Sequence, residues 1–153
     1  MFKKLSIIGM IPMGIILVYG DALFKLILGE QWHMAGIYAM ILAPSYYMGF
    51  VTSPLTYLFT ILNKQKNNLI LNIVMLLTRI ISIIIGYFIF FNNSTYIVLL
   101  FGVVGFIVFI FVNGYVLNLT GISYKKSTLT TLIIFTLFSI IIALPRVLYL
   151  LIR

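Results

Sequence analysis

Arg79 is the residue of this 153-residue chain whose chemistry is hardest to explain away. It lies midway along an apolar run, where an unpaired charge costs at least ~2.5 kcal/mol on insertion scales. Asn72, Met75, Arg79, Ser82 and Gly86 recur at spacings of three and four, so they share one helical face, and the opposite flank is Ile, Leu and Val. A polar and small stripe on such a helix faces protein or a water-filled cavity rather than lipid. Two readings stay open: contact with an anionic group in a central cavity, or a structural arginine bonded to a helix-end carbonyl.

The remaining polar residues carry blander expectations. Arg146 follows Pro145 in the last helix, and Lys25 sits near the end of the first; both are close enough to a membrane face to snorkel. Asp21 and Glu30 are the only acids. Asp21 and Lys25 are four residues apart, so the spacing predicts a local ion pair, with proton or sodium coupling through Asp21 as the alternative. Trp32 suits a headgroup anchor, and His33, with no partner His, Cys or acid cluster, is not a metal site. Gly102, Gly105 and Asn113-Gly114 mark a close-packing face. Tyr38, Tyr46, Tyr47 and Tyr57 offer rings to a sugar or, as the alternative, to core packing with one satisfied hydroxyl. There is no Gly-rich phosphate loop, paired carboxylate or nucleophile–base arrangement, and no cysteine. Neither an enzyme, a metal site nor a cofactor is expected.

Composition sets the frame. Apolar residues make up 63% of the chain, charged residues 8%, and mean hydropathy is +1.24. Soluble domains carry about 25% charged residues, so this chain belongs in a lipid bilayer. The net charge of +8 is too scattered for a nucleic-acid surface, because the basic residues lie in breaks between apolar runs. Lys3-Lys4, the run from Leu5 to Tyr19 and Gly20-Asp21-Ala22 imitate a signal peptide, but apolar sequence resumes at once from Ala22 to Leu28.

A spanning helix needs roughly 20 apolar residues. The sequence predicts an all-α, polytopic membrane protein: one transmembrane domain over 1–153, with helices at about 5–28, 34–62, 69–91, 96–118 and 129–151. Lys3, Lys4, Lys64, Lys66, Lys125 and Lys126 fall on one side if these helices alternate, and the opposite turns, Gly29–His33 and Asn92–Thr95, hold neither Lys nor Arg. The positive-inside rule then makes the N-terminus cytoplasmic. Arg153 falls outside and fits least well. Pro12, Pro44 and Pro54 are candidate hinges, since a proline inside a helix frees a carbonyl one turn back. Membrane helices also tolerate proline without moving.

Wording from Gly20 onward adds a resemblance. Gly20-Asp21-x-x-Phe24, Leu28-Gly29-Glu30-x-Trp32, Ala35-Gly36, Ile41-Leu42-Ala43-Pro44, Ser53-Pro54-Leu55 and Asn63-Lys64-Gln65-Lys66 resemble oligosaccharide flippases of the polysaccharide biosynthesis protein family. These belong to the multidrug/oligosaccharidyl-lipid/polysaccharide exporter superfamily, and the similarity is most specific over about residues 19–80. The resemblance implies a two-lobed inner-membrane carrier of undecaprenyl-pyrophosphate-linked oligosaccharides for O-antigen or capsule. It implies that this chain matches only the C-terminal part and works with an N-terminal lobe encoded elsewhere or lost by truncation. On that reading Arg79, then Arg146, with Asn72 alongside, would bind the substrate, and Pro12, Pro44 and Pro54 would bend between access states. The rival is a small structural or assembly subunit of a membrane complex without transport of its own.

Overall fold

The computed structural model describes residues 2–91, 93–119 and 124–152. The chain runs through α1 (Phe2–Leu28), a 3₁₀ turn (Glu30–Trp32), α2 (His33–Thr52), a second 3₁₀ turn (Ser53–Tyr57), α3 (Leu58–Ile61), α4 (Gln65–Ile89), α5 (Ser94–Leu119) and α6 (Tyr124–Ile152). No strand occurs among the described residues. Among the described residues, five segments are long and apolar enough to cross a membrane: Ser6–Leu28, Glu30–Ile61, Gln65–Ile89, Ser94–Leu119 and Thr128–Leu148. A hydrocarbon core leaves only helices or closed barrels as spanning solutions, and this is the helical one. The protein is an all-α, multi-pass membrane protein.

The expected second span, 34–62, corresponds to the single segment Glu30–Ile61, whose helix changes type in its last third. Alpha geometry ends at Thr52 and a 3₁₀ segment with Pro54 near its start carries the chain to Tyr57. Proline supplies no N–H, so the i→i−4 ladder loses a bond at Pro54 although Ser53 before it keeps α-helical dihedrals (φ −52°, ψ −48°). Thr56 Oγ1 donates to the Ser53 carbonyl (2.7 Å), taking up an acceptor in the altered turn. Pro12, Pro44 and Pro145, by contrast, stay inside uninterrupted α-helices.

Two turns are specified by single residues. Gly29 has φ 100° and ψ 169°, a region open in practice to glycine alone, and its N–H caps α1 at the Lys25 carbonyl (3.0 Å). Asn63, at φ 54°, closes α3. The Lys64 N–H reaches back to Phe59 O (2.7 Å) and the Asn63 N–H to Thr60 O (3.2 Å), the paired bonds of a Schellman motif.

Packing begins with α1 against α2, the most intimate pair in the molecule. Their backbones touch where Gly20 meets Gly36: a Cβ on Gly36 would lie 2.5 Å from the Gly20 carbonyl oxygen and 2.6 Å from the Asp21 Cα. Alpha1 also runs parallel to α6, in nearly constant register. Ser6 Oγ meets Thr131 Oγ1 (3.5 Å), Tyr19 OH donates to Ile142 O (3.1 Å), and Asp21 meets Arg146 near the far end. That parallel pairing is the alternation expected of α1 and α6 as first and fifth spans.

Tyr47 sits at the centre of the core, stacked on Phe135 with ring centroids 4.1 Å apart, among Met10, Met48 and Val51. Its hydroxyl donates to Ser6 O (3.2 Å), so a fully buried phenol leaves no orphan proton. A second cluster, Phe59 with Val112 and Val116, fastens α3 to α5. The lysine side chains at positions 3, 4, 125 and 126, Arg153, Asn92 and the 120–123 loop lie outside the described residues.

Candidate functional site

Arg79 projects from the middle of α4 towards α2 and α5. Its Nη2 donates to Ser45 Oγ on α2 (3.3 Å). Its Cζ lies 4.3 Å from the centre of the Phe101 ring and 5.6 Å from that of Phe109. Those two rings stand one helical turn either side of Gly105, and a Cβ on Gly105 would lie 2.6 Å from Nη2, 2.7 Å from Cζ and 2.7 Å from Ser45 Oγ. A cation over an aromatic face is attracted by the ring quadrupole, more strongly where water is excluded. Phe101, Gly105 and Phe109 thus form a cradle shaped to a guanidinium.

The same α4 face carries Ser82 and Gly86, both buried as its spacing predicts. Asn72, two turns before Arg79, is exposed instead and lines a cleft of about 500 Å³. Tyr46, Thr52, Ser53, Thr56 and Asn72 supply polar groups to this cleft, and Met13, Phe50, Met75 and Phe109 supply apolar walls. Phe109 links the two features, being both a face of the arginine cradle and a wall of the cleft. Thr52 and Thr56 spend their hydroxyl protons on Met48 O and Ser53 O, whereas the Asn72 amide has no partner among the described residues.

The structure separates Arg146 from Arg79 and Asn72. Arg146 forms a forked pair with Asp21, Nη1 to Oδ1 at 2.9 Å and Nη2 to Oδ2 at 2.7 Å. It also donates to the Val18 carbonyl and lies over the Tyr19 ring. The snorkelling expected of Arg146 is therefore corrected. A planar guanidinium matches a carboxylate with two parallel bonds, which a lysine does not reproduce. The Asp21–Lys25 pair is corrected for the same reason. Lys25 Nζ bonds Glu30 instead (2.7 Å), in an exposed pair beside the Gly29 turn.

Among the tyrosines, Tyr47 follows the core-packing expectation, Tyr46 faces the cleft and Tyr57 is exposed. Trp32 is exposed at the turn between α1 and α2. No grouping of His, Asp or Glu able to hold a metal occurs among the described residues. Ser45, Phe101, Gly105 and Phe109 escaped the sequence reading as partners of Arg79. The signal was the Phe-x₃-Gly-x₃-Phe spacing from 101 to 109, which sets two rings and a gap on one helical face.

The charge inventory sharpens the site. The chain has two side-chain carboxylates; Asp21 is committed to Arg146 and Glu30 to Lys25. Arg79, half-buried in the bundle, receives one hydroxyl and two ring faces but no side-chain carboxylate. Compared with family models, curated proteins and solved structures, the chain matches none, so this arrangement of residues must carry the functional reading.

Proposed function

We propose that the chain is the C-terminal portion of a flippase that carries lipid-linked oligosaccharide repeat units across the cytoplasmic membrane for polysaccharide synthesis, of the O-antigen or capsule type. The N-terminus faces the cytoplasm in this reading, and a second lobe of helices completes the pathway. The supporting observation is Arg79: a cation two residues from the middle of α4, for which this chain provides no counter-carboxylate. A pyrophosphate passing through the bilayer would supply the missing charge, and a desolvated arginine is a strong donor to phosphate oxygens. Tyr46 and Asn72, on the adjoining cleft, would offer a hydroxyl and an amide to the sugar or the phosphate. Pro12, Pro44 and Pro54 would serve as bend points between access states.

Arg146 takes a lesser part than Arg79, because releasing it to a substrate would leave Asp21 unpaired. The test is Arg79→Gln in the assembled transporter. Surface polymer is expected to be lost while membrane protein level stays at that of the parent. Undiminished polymer from that variant removes Arg79 from the mechanism and the main support of this reading.

One observation favours the rival, an assembly subunit. Apart from Ser82 and Gly86, α4 is nowhere buried in the fold, leaving a long apolar face for another membrane protein. A fixed co-purifying partner together with unaltered lipid-linked sugar translocation on deleting the chain would favour it.

A further inference from the structure

A groove of about 620 Å³ runs between α5 and α6 at their lysine-bearing end, apart from the cleft that Arg79 adjoins. Ile110 and Leu132 are among its apolar walls, and Gly114 leaves room between the helices. Its polar residues are Tyr115, Asn118 and Thr128. The volume lies in the range of specific small-molecule sites.

Two hydroxyls in this groove are free to donate. Thr128 is 7% exposed, and its Oγ1 has no partner among the described residues. Buried hydroxyls are rarely left unpaired, so this one points to an acceptor that the chain does not provide. The Tyr115 hydroxyl accepts from Asn67 Nδ2 (2.9 Å), which leaves its own proton to give. That bond also brings the start of α4 to the groove, with exposed Lys66 next to Asn67 and Lys64 just before it. Lys125 and Lys126 occupy the first turn of α6, three and two positions before Thr128. Both side-chain carboxylates, Asp21 and Glu30, lie at or near the opposite end of the bundle, so the described side-chain charges beside this mouth, Lys64 and Lys66, are positive.

We infer that the groove seats an anionic glycerophospholipid of the leaflet on the lysine side. One acyl chain lies between α5 and α6, and the phosphate oxygens accept from Thr128 and Tyr115 beside Lys64 and Lys66. A free phosphate would leave the apolar length of the groove empty, and a zwitterionic headgroup would gain little from Lys64 and Lys66. Anionic lipid attraction to juxtamembrane basic residues is worth about a fivefold gain in binding for each lysine. The inference stands apart from the transport reading, since it uses neither Arg79 nor its cleft.

The test reconstitutes the chain in phosphatidylcholine nanodiscs containing a minor share of phosphatidylglycerol with a photoreactive acyl chain. Cross-links are expected on α5 near Ile110 and Gly114 and on α6 near Leu132, well above those given by the phosphatidylcholine analogue. Gly114→Leu should abolish them by filling the groove. Lys66→Gln, on an exposed side chain that the fold does not need, should lower them about fivefold. Thr128→Val should lower them while Thr128→Ser preserves them. Equal labelling by the two lipids, or labels spread along the outer face of α4, would overturn the inference. So would displacement of the photolipid by a polyprenyl phosphate but not by unlabelled phosphatidylglycerol.

Discussion

The guanidinium of Arg79 occupies the volume that Gly105 leaves empty: a Cβ at residue 105 would stand 2.6 Å from Arg79 Nη2. An arginine on α4 and a glycine on α5 are therefore one structural unit, with Ser45 of α2 as its third member. The charge is held by a hydroxyl and two rings, so its position depends on shape as much as on electrostatics.

Gly105→Ala should consequently act through Arg79. The added methyl would press on the guanidinium, and overpacking of this kind costs about 1–3 kcal/mol. In an Arg79→Met background the same change should cost much less, giving a coupling of about 0.5–3 kcal/mol for residues in contact. Thermal unfolding in detergent of the two single variants and the double variant measures it. Additive effects would show that the cradle does not hold Arg79.

Asn113 makes the opposite prediction. It is 0% exposed on α5, and neither its amide nitrogen nor its oxygen has a partner among the described residues. An unsatisfied buried polar group costs roughly 1–3 kcal/mol, and an apolar group of similar size avoids that penalty. Asn113→Leu is expected to raise the unfolding temperature. A fall of similar size would mean that the amide is satisfied by water or a bound group.

Some of this organisation could be read along the chain and some could not. The α4 stripe was legible because helical spacing fixes which side chains share a face, and Ser82 and Gly86 are buried accordingly. Asn72 lies on that stripe yet remains exposed, because spacing does not say how far along a helix its neighbour stays in contact. Arg146 and Asp21 are 125 residues apart, and the nearer Lys25 satisfied every local rule for pairing. Parallel register between α1 and α6 decides that competition, and it exists only in three dimensions. The break at Ser53 had its signal in Pro54, but Pro44 carries the same signal inside an intact helix. Proline alone therefore does not decide where the α-helix gives way.

Gly36 and Gly29 should respond to alanine for different reasons. At Gly36 the new methyl would meet the backbone of Gly20 and Asp21, which cannot rotate away, so α1 and α2 must separate. At Gly29 nothing lies within 4 Å of a Cβ, and the cost is the φ of 100° alone, of order 1–3 kcal/mol. Both variants lose stability. Only Gly36→Ala should weaken a cross-link between cysteines placed on α1 and α2, which can be read cleanly because the chain has no cysteine of its own. An unchanged cross-link in Gly36→Ala would mean that the helices do not meet at these glycines.

Asp21 and Arg146 supply the sharpest test of the register between α1 and α6. Their forked bond joins side chains that are 18% and 32% exposed, within segments that cross the bilayer. Each charge alone would face an apolar or interfacial medium, where removing one partner of a well-buried pair costs about 3–5 kcal/mol and a part-exposed pair less. Asp21→Asn should therefore destabilise the protein, and so should Arg146→Gln, each by leaving the other charge unpaired. The double variant Asp21→Asn with Arg146→Gln should recover most of the loss, because neither residual group is ionised and an amide pair can still share a hydrogen bond. Exchanging the two, Asp21→Arg with Arg146→Asp, should recover less, since Arg146 also donates to the Val18 carbonyl and an aspartate there has no proton to give. The readout is the unfolding temperature of the five proteins, parent included, in one detergent and at low salt. A double variant no more stable than the worse single one would mean that the two side chains do not meet, and that α1 and α6 are held side by side without them, by contacts such as Ser6–Thr131, Tyr19–Ile142 and the packing of Gly14 on Phe138.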